Sequence, residues 1–234
     1  MSVKQFPILF LLGILFFGAC SDEDAKPVEA FFCPDGHHPH KIDLGLPSGI
    51  LWSCCNVGAS LPIEYGGFYS LGETSEKRNY SYSNFKFYVD NGRTDYLDPK
   101  GDISCTKYDV ATVRMGMPWC IPDTIFAKEL LSFCTWEWTE VQEVQGMKVT
   151  GPNGNSIFLP ACGLKFGSRH EGDGSFGVYW TSTECPTGKY YVDNAYSFYF
   201  RRKSQPSTND YLRSNGHSVR PIYDNTRVRP QNGR

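Results

Sequence analysis

Two aromatic runs in the C-terminal third set the tightest limit on the fold. Val178-Tyr179-Trp180-Thr181-Ser182 and Ala195-Tyr196-Ser197-Phe198-Tyr199-Phe200 alternate apolar or aromatic residues with polar ones. Successive side chains of a strand point to opposite faces, so a period of two predicts half-buried strands rather than helices. Downstream, Asp210 to Arg213 is separated by Asn215-Gly216 from His217 to Ile222. Asn-Gly between extended runs predicts a tight hairpin, because both residues tolerate positive φ. Residues 177–222 thus read as an antiparallel meander with Tyr, Asn, Ser, Asp and Arg in its loops. His170 and His217 fall in loops or turns and read as surface histidines.

Upstream, Lys41 to Ala59 reads as strand, Pro-Ser-Gly turn and strand, and Tyr65 to Thr74 as a further short strand. Pro122-Asp123 opens a helix with Asp123 as N-cap, and Ile125, Phe126, Leu130 and Phe133 form its apolar side. Thr135 to Thr139 alternates as a strand. Met147–Thr150 and Ile157–Pro160 flank the turn-rich segment from Gly151 to Ser156, predicting a hairpin. One or two helices among many short antiparallel strands is an α+β pattern. With 234 residues and 40% hydrophobic content, the chain buries one core: a single domain plus tails.

The N-terminus reads as an address. Lys4 precedes an apolar run, Phe6 to Phe17, too short to span a bilayer as a mature helix. The run ends in Phe17-Gly18-Ala19-Cys20, which resembles a bacterial lipoprotein signal in which Cys20 is lipidated; Phe17 departs from the strict pattern, and ordinary signal-peptidase cleavage nearby is the alternative. Ser21-Asp22-Glu23-Asp24 resembles the acidic signal that directs lipoproteins of Bacteroides-like bacteria to the outer face of the outer membrane. Residues 1–19 are then a signal peptide, 20–40 an acidic and Pro-rich tether, 41–223 the folded domain and 224–234 a polar tail. Three histidines in the tether, His37, His38 and His40, could bind a transition metal, but with no strand or helical period the tract reads as a linker and no metal site is assigned.

Of nine cysteines, Cys20 is set aside and eight remain, an even number that suits disulfides in an exported chain without choosing a pairing. No Cys-x-x-Cys spacing supports a zinc ribbon or a thioredoxin-like site. A net charge of −2 argues against nucleic acid as a partner. Yet Lys189 to Arg229 holds eight basic residues against three acids. That excess is either a solvated edge or a face that attracts anionic glycans or acidic proteins.

The segments from Asp43 to Ala59 (DLGLPSGILWSCCNVGA) and from Glu64 to Thr74 (EYGGFYSLGET) resemble the Fibrobacter succinogenes major paralogous domain family, common in exported proteins of Bacteroidetes. The resemblance continues through Asp109–Thr112, Trp119–Pro122, Cys134–Trp138, Val149–Ala161, Tyr179–Ser182 and Ser218–Pro221, and covers residues 41–222. It implies a C-type lectin-like domain: small twisted antiparallel sheets, one or two helices and long loops that present the ligand surface. It also implies a Cys55–Cys134 disulfide, since both cysteines occupy motif positions.

Calcium-dependent sugar binding needs six to eight converging oxygens. Gln205-Pro206-Ser207 and Thr208-Asn209-Asp210 only echo the lectin signatures, with Ser207 and Thr208 in place of the required carboxylate and Trp. Glu171 to Ser175 reads as a flexible surface loop. Cys185, beside Glu184 and near Lys189, is the one candidate for a formylglycine-generating-like thiol, but nothing identifies a base. No catalytic residues and no cofactor are therefore expected. Rigid aromatics with Asn, Ser and Gly suit a binding surface. The expected ligand residues are Tyr190, Tyr191, Asn194, Arg201, Arg202, Lys203, Asn209, Tyr211 and Arg213, with an extracellular glycan or protein as partner and a lipid anchor as the only membrane contact. A structural subunit of a cell-surface complex is the competing reading.

Overall fold

A computed structural model describes residues 37–89, 93–96, 100–186 and 192–227. In chain order the strands are β1 (Lys41–Asp43), β2 (Leu51–Ser53), β3 (Trp119–Cys120), β4 (Thr135–Val141), β5 (Val144–Thr150), β6 (Ser156–Pro160), β7 (Leu164–Phe166), β8 (Arg169–Glu171), β9 (Phe176–Cys185), β10 (Asn194–Arg201), β11 (Ser207–Leu212) and β12 (Ile222–Tyr223). Two α-helices, α1 (Val110–Met115) and α2 (Thr124–Phe133), lie among them. The strands form small antiparallel sheets in the orders β1-β2-β12-β3, β11-β10-β9, β4-β5-β6 and β7-β8. This is an α+β fold of small sheets with few helices.

The β9–β10 pair divides the interior. On one face Tyr179, Phe198 and Phe200 join Trp52, Leu130, Val149 and Leu159 in the larger core. On the other, Trp180 and Ala195 meet Val57, Leu71, Val110, Ile121 and Val219. The two aromatic runs form the predicted strands, but β9 is covered on both faces rather than one: Gly177 to Ser182 is buried throughout. Polar residues on such a strand need internal partners. Thr181 donates to the Tyr196 carbonyl at 2.7 Å, and Ser197 Oγ lies 3.0 Å from His217 Nδ1.

The helix at Asp123 forms as expected, with its carboxylate accepting from the N–H groups of Ile125 and Phe126. Its buried side is different. Ala127 and Leu130 enter the core with Phe126 and Leu131 beside them, while Ile125 is 72% and Phe133 54% exposed. The predicted hairpin after Gly151 is β5–β6, paired from Thr150↔Ser156 to Gly146↔Pro160. Gly151 is required there, since a Cβ would stand 2.0 Å from the Leu44 carbonyl oxygen. Tyr65–Thr74 is not a full strand; it pairs only at Tyr69↔His217.

The Asn215-Gly216 hairpin does not form. Neither residue has positive φ. A turn closes from Asn215 N–H to the Leu212 carbonyl, and the chain then runs inward, touching Lys165, Tyr69 and Tyr179 in turn before entering β12. Two buried arginines, Arg213 and Arg220, flank this inward segment.

Asp109 shows how one buried carboxylate orders a long loop. Oδ1 accepts from Ala111 and Thr112 N–H, capping α1, while Oδ2 accepts from Cys105 and Ile121 N–H. Burial pushes its pKa up to about 6 against these four donors. Asp109→Asn keeps the cap but turns an NH2 toward two N–H donors. A loss of about 2–3 kcal/mol in urea unfolding is the expected result.

The cysteines correct the expected pairing. Cys105 and Cys120 form a disulfide, 15 residues apart, that holds the Asp109 loop to β3. Closing a loop of that size stabilises by about 3 kcal/mol. Cys55 and Cys134 are not bridged: the Cys55 sulfur lies 3.4 Å from that of its neighbour Cys54, and burial pushes the Cys134 thiol up to about 11.

Candidate functional site

The described members of the nine residues expected to bind ligand do not form one surface. Tyr190, Tyr191 and the lipidation candidate Cys20 lie outside the described residues. Arg201, Arg202 and Lys203 are exposed at the turn leaving β10, with Lys203 at φ 61°. Asn209 is exposed on β11, opposite Ser197. Asn194 begins β10 and donates to Asp210 at 2.7 Å. From Asn194 to Arg201 the strand runs about 23 Å at ~3.3 Å per residue, so the basic turn and the Asn194 end are too far apart to share a small ligand.

Two expected ligand residues are structural. Tyr211 is half-buried and sets its ring edge-on to His217, with centroids 4.9 Å apart. Arg213 is fully buried, as is the Glu184 carboxylate it pairs with at 3.1 Å. The same guanidinium nitrogen donates to the Asp95 carbonyl at 2.7 Å. Burial pulls the guanidinium pKa down and Glu184 pushes it back up. His217 is likewise internal, stacked on Trp180 at 3.9 Å, and burial holds it well below the usual histidine range, so the ring is neutral. Sequence offered no signal that these cations and this imidazole turn inward. His170 is exposed as expected, with Nε2 2.7 Å from the Cys162 carbonyl oxygen.

The buried Arg213 leads to a surface cleft. Its guanidinium lies over the rings of Phe85 and Phe87, 5.3 and 5.7 Å from their centroids. Phe87 in turn meets Tyr108 edge-on at 5.7 Å. Phe87 and Tyr108, with Glu73, Thr74, Ser75, Lys77, Asn84, Lys86 and Lys107, line a cleft of about 640 Å³. Glu73 orders one wall: it pairs with Lys77 at 2.9 Å and accepts from the Lys86 N–H at 2.8 Å. Lys77 also donates to the Asn84 carbonyl. Lys86 and Lys107 are exposed, their ammonium groups 5.7 and 5.1 Å from the Phe87 and Tyr108 centroids.

The volume falls in the range of small-ligand sites, ~300–1,000 Å³. The lining presents two aromatic rings, three ammonium groups against one carboxylate, and small hydroxyl and amide side chains. That set can stack on an apolar ring face while hydrogen-bonding and neutralising anionic substituents. Sequence reasoning missed it because residues 75–87 and 107–108 carry no strand or helix period, and the rings that join them, Phe87 and Tyr108, are supported by Arg213 from a distant segment.

The thiol considered for chemistry, Cys185, ends β9, partly exposed. The hydroxyl of Tyr196 on β10 has its pKa raised by a hydrogen bond with Cys185. No protein family, curated protein or solved structure matches this chain.

Proposed function

We propose that this protein is a surface-displayed outer-membrane lipoprotein whose lectin-like domain binds an acidic extracellular glycan in the Lys77–Lys86–Lys107 cleft, without chemistry on the ligand. The observation that carries this reading is the lining of that cleft, where cations and aromatic edges stand together on an ordered wall. Support for display comes from the Cys20 context and the acidic residues after it. Support for the lectin-like assignment comes from the family resemblance over residues 41–222 and from an α+β fold of small antiparallel sheets.

The test is retention on immobilised heparin and binding to an array of sulfated and carboxylated glycans, with calcium as a variable. Lys86→Glu/Lys107→Glu is expected to abolish retention, because both residues are exposed and the change replaces attraction with repulsion. Arg201→Glu/Arg202→Glu/Lys203→Glu, at the far end of β10, leaves most of it. The opposite result moves the site to the basic turn. A blank from folded wild-type protein overturns the glycan reading. A second reading, a subunit of a surface assembly, draws on the outward Ile125 and Phe133 of α2. Concentration-dependent association in sedimentation, lost in Ile125→Ser/Phe133→Ser, would favour it.

A further inference from the structure

The residues just before β1 are part of the fold rather than of a tether. His40 lies beside Cys54, extending the β1–β2 pairing: Cys54 N–H donates to the His40 carbonyl at 3.1 Å, and His40 N–H donates to the Cys54 sulfur at 3.0 Å. His38, two residues earlier, brings its ring to the same cysteine. The two histidine rings stand edge to face, with centroids 5.0 Å apart. His38 Nδ1 is 3.3 Å and His40 Nδ1 is 3.7 Å from Cys54 Sγ, and one ligand atom from each of the three residues lies within 4.8 Å of the others. Cys54 is buried while both imidazoles are half-buried, so the cluster opens to one side.

We propose that His38, His40 and Cys54 form a binding site for a borderline-soft divalent metal ion of the zinc class, with a fourth coordination position open to solvent or a further donor. The spacing is what such an ion requires. With metal–sulfur and metal–nitrogen bonds of ~2.3 and ~2.05 Å at a tetrahedral angle, sulfur and nitrogen ligands stand about 3.6 Å apart. The two observed separations bracket that value. One thiolate and two imidazoles also select against hard cations such as calcium and magnesium, which take oxygen ligands.

The sulfur is prepared for the role. Cys54 Sγ accepts from the His40 N–H at 3.0 Å and faces both imidazoles, with the Cys55 sulfur 3.4 Å away. A thiolate, rather than a thiol, is the ligand form. Cys55 reaches the sulfur at 3.4 Å but stands outside the three-residue cluster.

Cobalt(II) serves as the optical probe, with zinc(II) as competitor. Purified protein is reduced with a phosphine, stripped of metal and checked for free thiols. A single equivalent of cobalt is expected to give the sulfur-to-metal charge-transfer band and the intense visible bands of a four-coordinate ion, and zinc is expected to displace it. Cys54→Ser removes the charge-transfer band. His38→Ala and His40→Ala each weaken zinc binding by at least ~100-fold, the upper end of what loss of an outer-shell partner costs. The two histidines are half-exposed, so His38→Ala/His40→Ala keeps the fold, which circular dichroism verifies. The proposal fails if reduced wild-type protein shows no charge-transfer band. It also fails if the band survives in the double histidine variant, which would assign binding to the adjacent thiols or to His37.

Discussion

Arg220→Met is expected to destabilise the protein by about 3–5 kcal/mol, because several buried acceptors lose their donor at once. That corresponds to a fall in Tm of roughly 6–20 °C for a domain of this size. Arg220 is fully buried. Its Nε donates to Asn56 Oδ1 at 2.8 Å, one terminal nitrogen donates to the Ser53 and Cys54 carbonyls at 3.1 and 2.7 Å, and the other donates to the Phe158 carbonyl at 2.9 Å. One side chain near the C-terminus thereby holds the end of β2, the Asn56 turn and β6 together. Met replaces the aliphatic stem without the donors, so three carbonyls and an amide oxygen lose a partner in a site closed to water. An unmet buried acceptor costs about 1–3 kcal/mol, and partial relaxation keeps the total below the sum. Arg220→Lys recovers only part of the loss, because a single ammonium cannot follow the planar fork. Guanidinium-induced unfolding of the three proteins checks the order wild type, Lys, Met. Equal stability of the Met variant would show that these contacts do not hold the fold.

The sequence conveyed the parts of this fold that local chemistry decides and concealed the parts that depend on distant segments. Alternation at Val178–Ser182 and Ala195–Phe200 identifies β9 and β10 because period two is a property of the strand itself. Asp123 is legible as a cap because the N–H donors its carboxylate accepts from are two and three residues away. The Gly151–Ser156 turn and the β5–β6 hairpin follow on the same ground. By contrast, the apolar side of α2 was misjudged because Ile125 and Phe133 fit the helical period, and only the packing of Ala127 and Leu130 shows which arc faces inward. Asn215-Gly216 carries a strong hairpin signal, but Arg213 and Arg220 find their partners in other segments and draw the chain inside. A buried arginine and a surface arginine are the same letter. The candidate cleft was hidden for the same reason, and so were the His38–His40–Cys54 cluster and the Cys105–Cys120 pairing, each set by contacts between segments with no shared period.

Glu184→Gln is the second large effect, and it links stability to the proposed binding cleft. Glu184 and Arg213 are both fully buried, paired at 3.1 Å, and the second Glu184 oxygen accepts from the Gly101 N–H. Removing one charge leaves the other in a low-dielectric interior, which costs about 3–5 kcal/mol. Replacing both is different in kind: Glu184→Gln/Arg213→Met leaves no uncompensated ion and is expected to cost much less than the two single changes together. A double-mutant cycle read by urea unfolding measures that coupling, since the residues touch and are not additive. Ligand retention then separates electrostatic from architectural roles. In the double variant the fold persists, but the cation over Phe85 and Phe87 is gone. Phe87 forms a wall of the cleft, so retention on heparin is expected to fall even though Lys86 and Lys107 are unchanged. Retention equal to wild type in a folded double variant would mean that Arg213 supports the domain without shaping the cleft, and the ring platform would then be held by the contacts of Phe87 with Phe85 and Tyr108.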